Sequence, residues 1–356
     1  MLFGYYIAHV LHLWPRPGYR PAVPLRTFLK FFFLPALLVL VVLAGAWQWW
    51  TDAPVRLGEP TVDFRILPGS SLRSATRQMN EAGVAIQPDL FVLLGRWRGT
   101  AAGIKAGSYS VSRGITPETL LARLVRGDVS QGEIALVEGL TFRQWRARMD
   151  RHPDLRHDTA GLSDSEIARR LGLEDMPIEG WLFPDTYLFD KQSSDLELMQ
   201  RAHRAMRKRL DEAWAGRAAD LPYRTPYEAL IMASIVEKES GRVDDRPQIA
   251  AVFANRLRRG MLLQTDPTVI YGMGEAFDGN LRKRDLQADT PYNTYTRGGL
   301  PPSPIAMPGQ AALLATLHPS DSSALYFVAR GDGSSQFSHT LEEHNRAVNK
   351  YQRGGK

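Results

Sequence analysis

Residues 226–241 read PYEALIMASIVEKESG. Pro226 suits the first position of a helix, where its missing N–H costs nothing. Leu230, Ile231, Met232, Ala233, Ile235 and Val236 then clothe the helix nearly all round, and a helix apolar on every side belongs in an interior. Yet its last turn carries Glu237, Lys238 and Glu239 before Gly241 ends it. A carboxylate at a helix C-terminus opposes the helix dipole, and at the end of a buried helix it is also partly desolvated. Both effects push a carboxyl group towards the range a general acid needs. Glu237 and Glu239 stand about 200° apart around the helix, so they cannot serve one site together. One is then a candidate catalytic acid and the other a structural or supporting group. On this segment alone, two surface glutamates leaving a core helix is an equally good reading.

Downstream, Gln264-Thr265-Asp266-Pro267-Thr268 reads as a polar turn, and residues 290–302, TPYNTYTRGGLPP, lack hydrophobic periodicity. Gln264, Asp266, Tyr292, Asn293 and Tyr295 offer amides, a carboxylate and aromatic rings. Such loops carry function more often than packing. Their chemistry suits a sugar, whose rings stack on tyrosine and whose hydroxyls bond amides.

Upstream, Thr141 starts a helix running through Met149, and Ser163 with Glu166 forms a capping box. The basic helix Leu196–Trp214 is interleaved with acids and reads as a solvated face. These segments make residues 140–356 one larger mixed α/β domain. A smaller α+β unit precedes it at residues 60–139. Strands are expected at Val62–Ile66, Gly107–Val111 and Ile134–Val137, and helices over Leu72–Ala82, around Phe91–Leu94 and from Thr116 to Gly127. Nothing in that unit looks catalytic by residue type.

The chain opens differently. From Phe31 the sequence runs FFFLPALLVLVVLAGAW without a charge. Residues 28–50 are expected to form a transmembrane helix, since the 22 residues from Phe28 to Trp49 span roughly 33 Å, enough for a bilayer core. Arg16, Arg20, Arg26 and Lys30 precede it and Asp52 follows, and Trp47, Trp49 and Trp50 form an aromatic belt. The positive-inside rule then places residues 1–27 in the cytoplasm as a proline-rich tail and the rest outside. A cleaved signal peptide is the competing reading, because Ala44-Gly45-Ala46 resembles a cleavage site.

The 356 residues allow two or three domains, and 23% charged residues exclude a mainly disordered chain. With no cysteine there is no disulfide framework, thiolate metal site or cysteine nucleophile. The net charge of +6 invites a nucleic-acid partner. Four of the 44 basic residues and none of the 38 acidic ones lie in residues 1–50, so most of that excess is a topology signal. No nucleic-acid partner is expected. His318, His339 and His344 lack a metal-ligand spacing, and no serine-hydrolase elbow, phosphate loop or dinucleotide fingerprint occurs. No metal and no cofactor are expected.

Taken together, the runs AGSYSVSRGITPETLLARLVRGDV, IEGWLFPDTYLF, ASIVEKES, VFANRLRRGMLLQTDPTVIYGMG, YNTYTRGGLPPSPIAMPG and HPSDSSALYFVARGDGSSQFSHTLEEHN resemble the endolytic murein transglycosylases, the YceG-like family. The resemblance covers about residues 60–350. It implies a single-pass inner-membrane enzyme of the bacterial periplasm, with a LysM-like subdomain at 60–139 and a catalytic transglycosylase domain at 140–356. The family's catalytic acid matches Glu239. Glu237, Gln264, Asp266, Tyr292, Asn293 and Tyr295 fall to substrate binding or to support of that acid. The implied reaction cuts nascent glycan strands internally between N-acetylmuramic acid and N-acetylglucosamine. It leaves 1,6-anhydro ends and limits strand length beside the synthetic machinery, with peptidoglycan synthases as candidate partners.

A hydrolysing glycosidase needs two carboxylates about the scissile bond, and the residues show one well-placed acid. Two rivals stay open on the residues. One is a non-catalytic peptidoglycan-binding scaffold for a synthase. The other is a hydrolysing muramidase pairing Glu239 with Asp266.

Overall fold

The computed structural model describes residues 33–174 and 176–354. The tail expected at 1–27 and the first residues of the span, 28–32, lie outside the described residues. The architecture is mixed α+β, and the chain divides into two units. One takes in residues up to Ala106 together with Ser110–Asp128, and the other Gly107–Tyr109 together with Val129–Lys356.

The first unit begins with α1 (Leu34–Asp52), the one described helix long and apolar enough to cross a membrane. At about 1.5 Å per residue, its 19 residues span about 29 Å. Its leucines and valines from Leu34 to Leu43 are exposed, as suits a helix whose solvent is lipid. It ends at Asp52, two residues beyond the expected boundary, and Thr51 is already buried.

Short β1 (Arg56–Leu57) and β2 (Thr61–Ile66) follow, then α2 (Leu72–Glu81), β3 (Val84–Ala85) and α3 (Pro88–Trp97). β1 pairs antiparallel with β3, and β2 pairs with β4 (Gly107–Ser112). The alternating burial of β2 puts Val62, Phe64 and Ile66 inward. Ser71 caps α2 by accepting from the Ser74 N–H. α4 (Pro117–Arg126) starts where Thr116-Pro117-Glu118 predicts, with a Thr116–Thr119 capping box, and stops at Gly127 in the left-handed region, φ 75°.

The second unit opens with β5 (Gln131–Leu136). This strand was expected to complete the smaller unit; its partner is instead β7 (Asp185–Asp190), antiparallel from Gln131↔Asp190 to Leu136↔Asp185. Strand periodicity says which face is buried but nothing about which strand lies alongside. Between them come α5 (Phe142–Asp150), β6 (Leu155–Arg156) and α6 (Asp164–Arg170); α5 starts after Thr141 and the Ser163 capping box forms, both as expected, and Thr141 with Gln144 makes a further capping box. β8 (Ser193–Ser194) pairs parallel with β6 and leads into the long α7 (Asp195–Ala215).

Next come α8 (Pro226–Glu239), α9 (Arg246–Arg258), α10 (Asp266–Met273), α11 (Lys283–Gln287) and α12 (Gln310–Leu317). The β9–β10 hairpin (Tyr326–Ala329 and Ser335–Ser338) and α13 (Leu341–Tyr351) close the unit. α8 is its centre. Leu230 and Ala233 join the apolar cluster built from β5, β7 and α5–α7. Ala229, Met232, Ile235 and Val236 join a second cluster with α9 and α12. Both flanks are therefore covered, which is why the helix is apolar all round. Each large aliphatic buried there contributes about 1.5–3 kcal/mol.

Candidate functional site

Glu239 is the last residue of α8, and Ser240 leaves the helix in extended geometry, φ −95° and ψ 117°. The side chain of Glu239 is half-buried and accepts a hydrogen bond from the Thr265 hydroxyl. Burial pushes its pKa up and the negative Asp266 adds to this, against the Thr265 hydroxyl and the Arg256 guanidinium. The protonated form is thereby favoured over a wider pH range than for a free glutamate.

Thr265 is held for this task. Its N–H donates to the Thr294 hydroxyl (3.1 Å), and Gln264 N–H donates to Thr294 O (3.1 Å). The Thr268 and Thr294 hydroxyls meet at 2.9 Å. The segment expected to be a polar turn is the entrance to α10, with Thr265 as N-cap and Asp266-Pro267 in the first turn. An acid and a proline at those positions form a helix-start signal. Asp266 is exposed and accepts the Tyr295 hydroxyl at 2.5 Å. Burial, followed by Asp266, holds the Tyr295 phenol protonated well above its ordinary range. Arg256 is buried on the backbone oxygens of Leu325 (2.7 Å) and Leu263 (2.8 Å). The Glu239 carboxyl thus sits amid a hydroxyl donor, a buried cation and a carboxylate–phenol pair.

Glu237 was expected among the substrate contacts but is buried: its carboxylate accepts from Arg246 Nη2 at 2.7 Å and from the Gly309 N–H at 2.9 Å. Burial raises its pKa, opposed by those partners. Arg246 also donates to Ser240 Oγ (2.8 Å), bracing the end of α8. The roughly 200° between the two glutamates accounts for the division.

Asn293 is also turned inward, fully buried. It donates to the carbonyls of Leu286 (3.0 Å) and Ala288 (2.7 Å) and accepts from the Tyr295 N–H (2.8 Å). It supports the loop that carries Tyr295, and both its N–H donors are taken up by backbone carbonyls. Gln264 is exposed with its backbone in the left-handed region, φ 49°. Tyr292 is half-buried, its hydroxyl on Ser303 (2.7 Å) and its ring edge-on to Tyr271 at 4.9 Å.

Tyr292 lines a cavity of about 1260 Å³ within the second unit. Phe142, Ile178, Pro267 and Ile305 form apolar wall, and Arg143, Asp164, Arg169 and Lys238 add charge. The cavity reaches Lys238 and Pro267, the sequence neighbours of Glu239 and Asp266, but those two carboxylates do not line it.

Glu179 does line it, and sequence reading missed it as a site residue. It is 5% exposed and accepts the Phe142 N–H (3.0 Å) and the Tyr271 hydroxyl (3.2 Å). Burial raises its pKa to about 8. The neighbouring Gly180 has φ 82°, and a Cβ there would meet Pro304 Cγ at 2.5 Å. The Glu-Gly pair in IEGWLFPD was the available signal: an acid among apolar residues, followed by a glycine that a tight approach requires.

Of the histidines weighed as metal ligands, His339 bonds Ser323 Oγ (3.0 Å) and His344 stacks on Tyr326 at 5.2 Å. Asp150, His157 and Asp195 bring ligand atoms within 4.8 Å of one another. The Asp195 carboxylate is taken up by the Thr159 N–H (3.2 Å), the Thr159 hydroxyl (2.5 Å) and the Leu196 N–H (2.7 Å), an arrangement that closes the start of α7.

The YceG-like family matches residues 64–350. An endolytic murein transglycosylase of Bacillus subtilis (strain 168) is 33% identical over 308 residues, covering 82% of this chain and 85% of the relative. One from Streptococcus pneumoniae serotype 2 (strain D39) is 27% identical over 321 residues, covering 81% of this chain and 58% of that one. The crystal structure of a yceG-like protein from Listeria monocytogenes superposes with a TM-score of 0.51 at 29% identity, covering 81% of this chain and 98% of that one.

Proposed function

For a chain that belongs to the YceG-like family, we propose the activity its relatives are named for: it is a lytic transglycosylase that cuts murein strands internally. The observation that carries the mechanism is the place of Glu239 at the end of a buried helix, with the Thr265 hydroxyl donating to its carboxyl group and burial favouring its protonated form. Glu239 begins protonated and gives its proton to the glycosidic oxygen as the bond to C1 of N-acetylmuramic acid breaks. The 6-hydroxyl of the same sugar attacks C1 and passes its proton to the Glu239 carboxylate. The C1–O6 bond forms, the acid is regenerated and no water is consumed. One carboxyl group serves both steps, so no second carboxylate across the bond is required.

Thr265 and Arg256 favour the carboxylate that forms after the first transfer, and Asp266 favours the acid before it. This balance tunes the group for donation and return of a proton near neutral pH. Tyr295, Gln264 and Tyr292 are assigned to the glycan, and Asn293 and Glu237 to holding the site in shape.

The setting follows the same reading. Residues 28–50 anchor the chain in the inner membrane, residues 1–27 lie in the cytoplasm and the catalytic unit acts in the periplasm, as the basic residues before the span support. The smaller unit, without β5, forms a LysM-like subdomain that holds glycan, and the catalytic domain takes in β5 together with residues 140–356. The enzyme ends strand elongation beside a peptidoglycan synthase.

Glu239→Gln tests the assignment on purified glycan strands, with products read by mass spectrometry. Wild type yields anhydro ends, each one water lighter than a hydrolysed end. The variant keeps its fold and loses about 10²–10⁴-fold in rate, the usual contribution of a general acid. Full activity in the variant removes Glu239 from the mechanism. Hydrated ends from wild type convert the reading to a muramidase, and no new ends at all convert it to a scaffold.

A further inference from the structure

α3 is apolar on two faces. Phe91, Leu94 and Gly95 are buried in the first unit, where Gly95 lies so close to Leu72 that a Cβ would meet its Cδ2 at 2.4 Å. Leu90, Leu93 and Trp97 are 36%, 51% and 63% exposed. Spaced by three and four residues, they fall within about 60° of one another around the helix. An outward stripe of two leucines and a tryptophan on a helix already packed on its other side calls for a cover.

The same unit indicates what covers it. The Trp97 ring meets the Trp47 ring of α1 edge-on at 5.9 Å, and Trp47 meets Trp50 at 5.5 Å. Trp49 beside them is 74% exposed. Trp47 stands where the apolar run of α1 gives way to Thr51 and Asp52, and tryptophans gather at that level of a bilayer. Trp97 is therefore carried at the level of the lipid headgroups.

Arg96 and Arg98 flank the stripe, each about 100° from its centre. Arg98 lies over the Trp97 ring at 5.0 Å and pairs with Glu118 at 3.0 Å, while Arg96 is exposed. Apolar residues bordered by guanidinium groups suit an acyl–headgroup boundary. A glycan would need hydrogen-bonding groups that Leu90 and Leu93 lack.

We propose that the Leu90–Leu93–Trp97 face of α3 rests in the outer-leaflet interface of the bilayer that α1 crosses. α3 thereby fixes the orientation of the first unit on the membrane. The proposal rests on reading α1 as a membrane span. Tethering by α1 holds the face at high local concentration against the lipid, so a small patch suffices.

The chain has no cysteine, so single probes can be placed without background. The full chain carrying Leu93→Cys, labelled with an environment-sensitive nitrobenzoxadiazole, is reconstituted in phosphatidylcholine–phosphatidylglycerol vesicles. Leu90→Cys is prepared as an independent second position, and Leu40→Cys reports the span. Spin-labelled lipids with the quencher near the headgroup are expected to quench positions 90 and 93 about twofold, with blue-shifted emission, as for side chains buried just below the headgroups. Quenchers deep in the acyl chain are expected to act on position 40. Water-like, unquenched emission at 90 and 93 with position 40 quenched overturns the proposal alone. Absence of quenching at all three overturns the anchoring beneath it. Burial of positions 90 and 93 by added glycan strands and not by lipid reassigns the face to glycan.

Discussion

Thr265→Val keeps the shape of the side chain and deletes the hydroxyl that donates to Glu239. Thr265 is 2% exposed, and its backbone N–H, held by Thr294, is untouched by the change. A hydrogen bond to a charged acceptor contributes about 1.5–3 kcal/mol. The neutral acid keeps a weaker bond to the same hydroxyl, so the preference for the carboxylate is about half of that, about 0.75–1.5 kcal/mol, or roughly fourfold to tenfold in acid dissociation. The hydroxyl lowers the pKa of Glu239, so its loss raises it, and the proton-donating form persists to higher pH. The alkaline limb of kcat/KM, which reports the acid of the free enzyme, is expected to move to higher pH. Asp266 acts with the opposite sign, and Asp266→Asn should move the same limb down. The assay is the release of anhydro ends from glycan strands as a function of pH, with thermal melting as the check on folding. A limb that stays put or moves down in Thr265→Val, in a protein that melts normally, refutes Glu239 as the titrating acid.

Three further outcomes follow from the second unit. Arg246→Met strips the buried Glu237 carboxylate of its cation and Ser240 of its donor; a loss of about 3 kcal/mol is expected in urea unfolding, and a loss below about 1 kcal/mol, the level of a surface ion pair, contradicts the bracing role. Glu179, raised from 4.5 to about 8, binds a proton in the folded chain that it has lost in the unfolded one between those values. Stability contributed by the site is therefore full at acid pH and declines as pH rises to about 8, by up to about 5 kcal/mol. Glu179→Gln should flatten that decline between about pH 5 and 8, and an unchanged slope in urea midpoints argues that Glu179 stays ionised. Tyr295→Phe frees the Asp266 carboxylate from its phenol partner; the expected signature is a weakened KM for glycan with the melting temperature unchanged.

Much of the local structure was legible because its causes are local. The helix starts at Thr116, Thr141, Ser163 and Pro226 depend on a side chain reaching a backbone N–H three residues away, or on a proline at the first turn. The apolar run of α1 and the all-round apolar surface of α8 state their surroundings by composition. The divergence of Glu237 from Glu239 follows from the helical repeat alone. Reading 264–268 as a turn undervalued Asp266-Pro267 as a helix start.

Which glutamate meets what was beyond local reasoning. Glu237 finds Arg246 and Gly309, and Glu239 finds Thr265, partners 9, 72 and 26 residues away. Asn293 has the composition of a sugar ligand, yet the fold buries it and spends its N–H donors on backbone carbonyls and its oxygen on the Tyr295 N–H. Glu179 looked like one letter of a motif until α5 and α10 brought Phe142 and Tyr271 onto its carboxyl. β5 carried a correct strand pattern whose partner, β7, could not be read from it. Periodicity, caps and composition are set by neighbours within a turn or a strand, and those the sequence determined by itself. Strand pairing, desolvation and the charge around a carboxyl depend on segments distant in the chain, and only the tertiary structure decided them.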